Sequence, residues 1–92
     1  MNRRESAETL ALEAFVWLLQ SDLSEGFLNA TGAVQDQLAA QAQDPLFLGA
    51  VLDFLMQEDQ RVMAFCDATG RPYPSVMEAR ALLPGGDLPH WT

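Results

Sequence analysis

Apolar residues recur along this chain at intervals of three and four, in runs of about a dozen separated by short polar breaks, which is the period of helices that bury one face. The first run extends from about Ala7 to Leu19, with Ser6 placed to cap it. Leu10, Ala14, Trp17 and Leu18 form one stripe, and Ala11, Phe15 and Leu19 lie beside it. Val16 makes the second half apolar almost all round, so a central helix touched from several sides is expected. Asp22-Leu23-Ser24-Glu25 has the form of a capping box with an aspartate cap. The helix it opens carries Leu23, Phe27 and Ala30 and stops at Thr31-Gly32. A third short helix, Val34 to Gln43, lines up Val34, Leu38 and Ala42 and turns Gln35, Asp36, Gln37 and Gln41 to water.

Asp44-Pro45 is the clearest start signal, because Asp accepts the free amides of a first turn and Pro suits the first helical position. The helix behind it has a wide buried arc of Phe47, Leu48, Val51, Leu52, Phe54 and Leu55. Gly49 inside it costs up to about 1 kcal/mol in propensity, and close approach of another helix would explain it. Glu58 or Asp59 starts a fifth helix, whose Val62, Phe65, Cys66 and Thr69 share a face before Gly70. Pro72-Tyr73-Pro74 is a stiff connector. Ser75-Val76-Met77-Glu78 then has the capping-box form and opens a last helix through about Leu83, with Val76, Ala79, Leu82 and Leu83 inward. Pro84-Gly85-Gly86 stops it. The tail Asp87 to Thr92 has no periodicity, and Leu88 and Trp91 are its candidates for docking on the body.

The chain also resembles itself. Trp17-Leu18-Leu19-Gln20-Ser21-Asp22 lies over Phe54-Leu55-Met56-Gln57-Glu58-Asp59 at an offset of 37, and Phe27 to Gly32 lies over Phe65 to Gly70 at 38. The simplest physical meaning is two similar three-helix units sharing one core, since neither could bury enough surface alone. The period is near that of tetratricopeptide repeats, but the signature positions of that repeat are not filled in either copy. The predicted fold is therefore all-α, a compact orthogonal bundle of five to six short helices. It forms one domain over 1–92, with a core of about 7–83 and with 1–5 and 84–92 mobile or loosely docked.

Composition narrows the function by exclusion. Thirteen Asp and Glu stand against five Arg and no Lys, a formal net charge of -8, and Glu5 through Gln60 holds ten acids and no base. A phosphate-backbone binder needs cations to displace counterions, so direct nucleic-acid binding and adhesion to an anionic membrane are both disfavoured. A small basic patch would have to come from Arg61, Arg71 and Arg80. Eight aromatics argue for a packed core rather than disorder. One cysteine forms no internal disulfide, and the start MNRRESAETL runs into Glu5, Glu8 and Glu13 where a signal peptide would be apolar. A cytoplasmic location is expected. The most hydrophobic stretch, Pro45 to Met56, is twelve residues and falls short of a membrane span.

Little chemistry is visible. His90, the sole histidine, sits two residues from the end, where a catalytic base would lack a held geometry. Cys66 on the face of Val62 and Phe65 reads as a small buried hydrophobe. One thiol and one imidazole do not assemble a zinc site. Glu13, Asp53, Glu58 and Asp59 read as face margins or caps, and Gly85-Gly86 is followed by Asp87, which repels a phosphate. No catalytic, cofactor-binding or metal-ligating residue is nominated, no cofactor is expected, and an enzyme is disfavoured.

The helix and break motifs Trp17-Leu18-Leu19, Phe27 to Gly32, Asp44-Pro45-Leu46-Phe47-Leu48, Val51 to Leu55 and Phe65 to Gly70 resemble a family of alphaproteobacterial proteins catalogued as domain of unknown function 3572. The resemblance spans roughly Thr9 to Leu83. It implies a compact helical bacterial protein and transfers no activity, substrate or site residue. The function expected from the residues is a small non-enzymatic protein-interaction or regulatory accessory module with an unidentified protein partner. The alternatives are a self-associating homodimer using apolar residues such as Phe15, Leu52 or Trp91, and a regulator of a nucleic-acid-binding protein.

Overall fold

In a computed structural model, which describes residues 3–32 and 34–84, the described chain winds into six α-helices and one 3-10 turn. Helix α1 is Arg3–Gln20, α2 Ser24–Thr31, α3 Leu38–Gln41, α4 Pro45–Met56, α5 Asp59–Thr69 and α6 Pro74–Leu82, with the 3-10 turn at Gln35–Gln37 before α3. The described residues contain no strand. The all-α class is as expected. Among them, no helix is long and apolar enough to cross a membrane.

Several helix starts differ from the expected caps, each for a local reason. α1 begins before Ser6, which is inside the helix, and its first turns are stitched by an Arg4–Glu8 ion pair at 3.4 Å. α2 starts at Ser24 with no side-chain cap. The turn before it is closed by Ser21 instead of Asp22: the Ser21 hydroxyl donates to the Leu18 carbonyl and accepts from the Leu23 amide. The expected third helix shrinks to the 3-10 turn and a single α-helical turn. A four-residue helix gains few ladder bonds for its nucleation cost. Val34, in extended backbone and 47% exposed, leaves the expected stripe, while Leu38 and Ala42 still pack on the core. In α6, Pro74 takes the first helical position and Tyr73 becomes the cap residue, so Ser75 is already within the helix and caps nothing. The start of α4 is as read: Asp44 Oδ1 accepts from the Leu46 amide at 3.0 Å.

α4 lies at the centre and packs against α1, α2, α5 and α6, while α1 packs against α2, α4 and α6. α1 buries Ala7, Leu10, Ala11, Ala14, Phe15 and Leu18, a stripe at the helical period. Its other side stays open: Leu12 and Val16 are exposed, so α1 is not covered all round. Phe27 is fully buried and meets Phe15, Phe47 and Phe54 edge to face, with ring centroids 5.4–6.3 Å apart. Such edge contacts are worth about 0.5–1.5 kcal/mol each beyond area burial.

The internal repeat has a structural counterpart in its first two helices. Phe27 and Phe65 are both fully buried. The hydroxyls of Thr31 and Thr69 return to the carbonyls of those two phenylalanines, at 2.7 and 2.9 Å. Gly32 and Gly70 end the helices at φ 70° and 73°, left-handed backbone that glycine adopts without strain. The halves also exchange aromatics: Trp17 sits on Phe65 at 5.7 Å, and Phe54, the counterpart of Trp17, sits on Phe27 at 5.4 Å. The third helices diverge. α6 is nine residues long and packs on α1 and α4, whereas α3 is four residues and has no comparable contact with α4.

Gly49 marks a close approach between helices. A Cβ there would stand 2.9 Å from Nη1 and 3.1 Å from Cζ of Arg80 on α6. The Arg80 guanidinium grips Asp53 of α4 with Nε and Nη2, at 2.6 and 3.1 Å, and donates through Nη1 to the Pro84 carbonyl at 3.1 Å. It therefore ties α4 to both the body and the end of α6. The Cα radius of gyration, 12.4 Å, is close to the roughly 12 Å of a folded chain of this length.

Candidate functional site

A broad apolar opening lies where α4 ends and α5 and α6 diverge. Both of those helices pack on α4, yet they have no contact of similar extent with each other, and a groove of about 560 Å3 lies between them. α4 ends where Glu58 takes extended backbone, φ -140° and ψ 129°, and this turn leaves Met56 at the rim. Val76 is the fully buried floor, Val62 and Met63 form the α5 wall, and Tyr73, Pro74 and Met77 form the α6 wall. Met56, Met63, Tyr73 and Met77 are 37–67% exposed. Three of the four methionines of the chain thus face one opening. Unbranched thioether side chains adapt their shape to what covers them, a property that suits a surface for apolar partners.

Two groups set the electrostatics. Asp59 is the one charged residue among those lining the groove. The Tyr73 hydroxyl donates to Asp67 Oδ1 at 2.9 Å, and this bond together with the negative charge of Asp67 holds the phenol above its ordinary pKa of 10.0. The nearby cations are engaged. Arg61 donates to the Phe54 carbonyl and to Glu58, at 2.9 and 3.1 Å, with its guanidinium 4.1 Å over the Phe54 ring. Arg71 donates to Glu13 at 2.9 Å, a bond that strengthens its hold on its proton.

The family model for a protein of unknown function (DUF3572) matches residues 4–86. The chain belongs to this family. The match extends past Thr9 at one end and Leu83 at the other, so this family's pattern takes in the start of α1 as well as the end of α6. No curated protein and no solved structure matches the chain.

In this DUF3572 member the residues singled out by chemistry are scattered. Cys66 is buried, its Sγ 3.6 Å from the Pro72 carbonyl, and burial pushes its thiol pKa up, with the charge of Asp67 adding to the effect. That suits a packed hydrophobe better than a nucleophile. Glu13 and Asp53 lie within α1 and α4, where they are the acceptors of Arg71 and Arg80. Glu58 pairs with Arg61 and occupies the cap position of α5 without a side-chain capping bond. Arg61, Arg71 and Arg80 are each held by a carboxylate and form no free basic patch. Among the described residues, no group of three or more His, Cys, Asp or Glu is arranged to hold a metal. His90, Trp91 and Gly85-Gly86-Asp87 lie outside the described residues.

Phe15 and Leu52 require a correction. At 3% and 0% exposure they are core residues and offer nothing to a second chain. They sit at the helical period on faces that other helices cover, which a pattern alone does not distinguish from an open face. Conversely, motif reasoning does not single out Met56, Met63 and Met77 as a site. Their common signal is that none falls on a stripe that the core needs.

Proposed function

We propose that this protein is a small non-enzymatic protein-interaction module, a cytoplasmic accessory factor that receives a helix of a partner protein in the groove between α5 and α6. The observation that carries this reading is the methionine-lined opening, with Val76 as a packed floor and half-exposed side chains on both walls. A rigid apolar floor with adaptable walls favours an amphipathic helix, whose anchors lie at intervals of three and four. A site for a polar small molecule would want several converging donors, and here the Tyr73 hydroxyl is committed to Asp67. Covering a side chain of this kind fully is worth about 1.5–3 kcal/mol. Three that are already partly covered contribute less, so micromolar binding, about 8 kcal/mol net of association costs, requires further contacts along both walls of the groove.

A photo-crosslinking amino acid installed at Met77, and separately at exposed Val34, tests the reading in cells. One protein enriched at position 77 and not at 34 supports a dedicated groove. The same set of proteins at both positions refutes it.

Self-association is a second reading, and one feature favours it. Leu12 and Val16 are exposed one turn apart on α1 beside half-buried Trp17, a shallow apolar ledge of about 470 Å3. Light scattering over a dilution series decides it, and a monomer at tens of micromolar would end it. Regulation of a nucleic-acid-binding protein stays within the first reading, with that protein as the partner.

A further inference from the structure

Taking the groove as a helix dock, we propose that its occupant is a basic amphipathic helix, with two Lys or Arg residues seven or eight positions apart flanking its apolar anchor. The inference rests on the docking reading above and adds the chemistry of the partner.

The charge layout around the groove is specific. Asp59, Met63 and Asp67 follow one another at intervals of four on α5, so they form a single line along one face of the helix. Eight residues of helix rise about 12 Å, with the methionine midway. All three are exposed. Asp59 lines the groove directly, and Asp67 is tied to the opposite wall through Tyr73. An acid, an apolar anchor point and a second acid therefore stand in a row beside the opening. A helix laid alongside α5 would set its own apolar residue against Met63, and the same axial rise would place residues about four before and four after it near the two carboxylates.

The surroundings reinforce the sign. Arg61 is bound to Glu58 and Phe54, and Arg71 to Glu13, so neither neutralises Asp59 or Asp67. The chain as a whole carries a formal charge of -8. An acidic helix, or the same groove of a second copy, would be repelled by this field, and a basic one is steered in.

The test uses three synthetic helical peptides of about 18 residues, long enough to span the line of Asp59, Met63 and Asp67 with a turn to spare at each end. One has leucine anchors with lysines eight positions apart, the second has glutamate in place of each lysine, and the third keeps the lysines but has alanine in place of each leucine. Binding is read by heteronuclear NMR shifts on the labelled full chain, and by titration calorimetry at low and high salt. The expected result is that the leucine-lysine peptide alone binds, with shifts confined to residues 56–77. Affinity then falls roughly tenfold or more in the double variant Asp59→Asn with Asp67→Asn, as both close charge pairs are lost. Both side chains are exposed, and the amide oxygen introduced by Asp67→Asn still accepts from the Tyr73 hydroxyl, so folding is preserved. Met77→Asp removes binding and Val16→Asp does not.

Two different failures are separable. Equal binding of the glutamate peptide, or no loss in the Asp59→Asn, Asp67→Asn variant while Met77→Asp still abolishes binding, overturns the basic partner and leaves the dock. Shifts that map outside 56–77, or indifference to Met77→Asp, overturn both.

Discussion

The contact between Gly49 and Arg80 makes one substitution diagnostic of how α4 and α6 are joined. In an isolated helix, Gly49→Ala would gain up to about 1 kcal/mol from backbone entropy. Here the new Cβ would meet Nη1 of Arg80 at 2.9 Å and Cζ at 3.1 Å, so the guanidinium must shift by about half an ångström to regain ordinary van der Waals contact. Arginine is flexible, but this one is fixed at both ends of its planar head, by the two oxygens of Asp53 and by the Pro84 carbonyl. Disturbing the half-exposed ion pair costs about 0.5–1 kcal/mol, and weakening a charge-assisted bond to a carbonyl costs about 1 kcal/mol more. Gly49→Ala should therefore destabilise the protein by about 1 kcal/mol. In an Arg80→Ala background, where nothing occupies that space, the same change should stabilise it by about 1 kcal/mol, which gives a coupling near 2 kcal/mol. Urea unfolding of the four proteins, followed by circular dichroism at about 222 nm, measures each value. If Gly49→Ala raises the midpoint equally in both backgrounds, Arg80 is not clamped over Gly49 and the account of the α4–α6 junction fails.

Other outcomes follow from the same packing. Phe27→Ala should lose about 3–5 kcal/mol in urea unfolding, because a fully buried ring with three edge contacts leaves a cavity that rigid neighbours do not fill; a loss under about 1.5 kcal/mol would contradict that packing. Gly32→Ala and Gly70→Ala should each cost about 1 kcal/mol, and by similar amounts, since both force a side chain into left-handed backbone; only one of them being costly would break the equivalence of the two stops. Tyr73 is the one tyrosine of the chain, so tyrosinate absorbance in the near ultraviolet reports it alone; its midpoint should lie above pH 10.0, and Asp67→Ala should lower it. The raised folded pKa means that the native state holds this proton more tightly than the unfolded chain. The associated stability is present below pH 10.0 and is lost as pH rises through the higher folded midpoint. An unchanged midpoint in Asp67→Ala would remove the hydrogen bond from the account.

Much of the architecture is legible in local patterns. Asp44-Pro45 start α4 and Gly32 and Gly70 stop α2 and α5, because caps and left-handed turns are chosen by the residues that form them. The buried stripes of α1 and α4, the inert setting of Cys66 and the close approach at Gly49 follow from period and residue size. Only the tertiary structure decided which of several apolar faces would be covered. Phe15 and Leu52 could have faced a second chain, yet they lie inside the core that α1, α2 and α4 form together. Met63 and Met77 remain open because α5 and α6 both lean on α4 instead of on each other. The arginines show the same division: Glu58 is within local helical reach of Arg61, but the partners of Arg80 and Arg71 stand 27 and 58 positions away, and only the folded chain brings them together. Periodicity is a property of a single helix, whereas exposure belongs to pairs of helices and how they meet, and for that reason the groove could not be read before the fold was known.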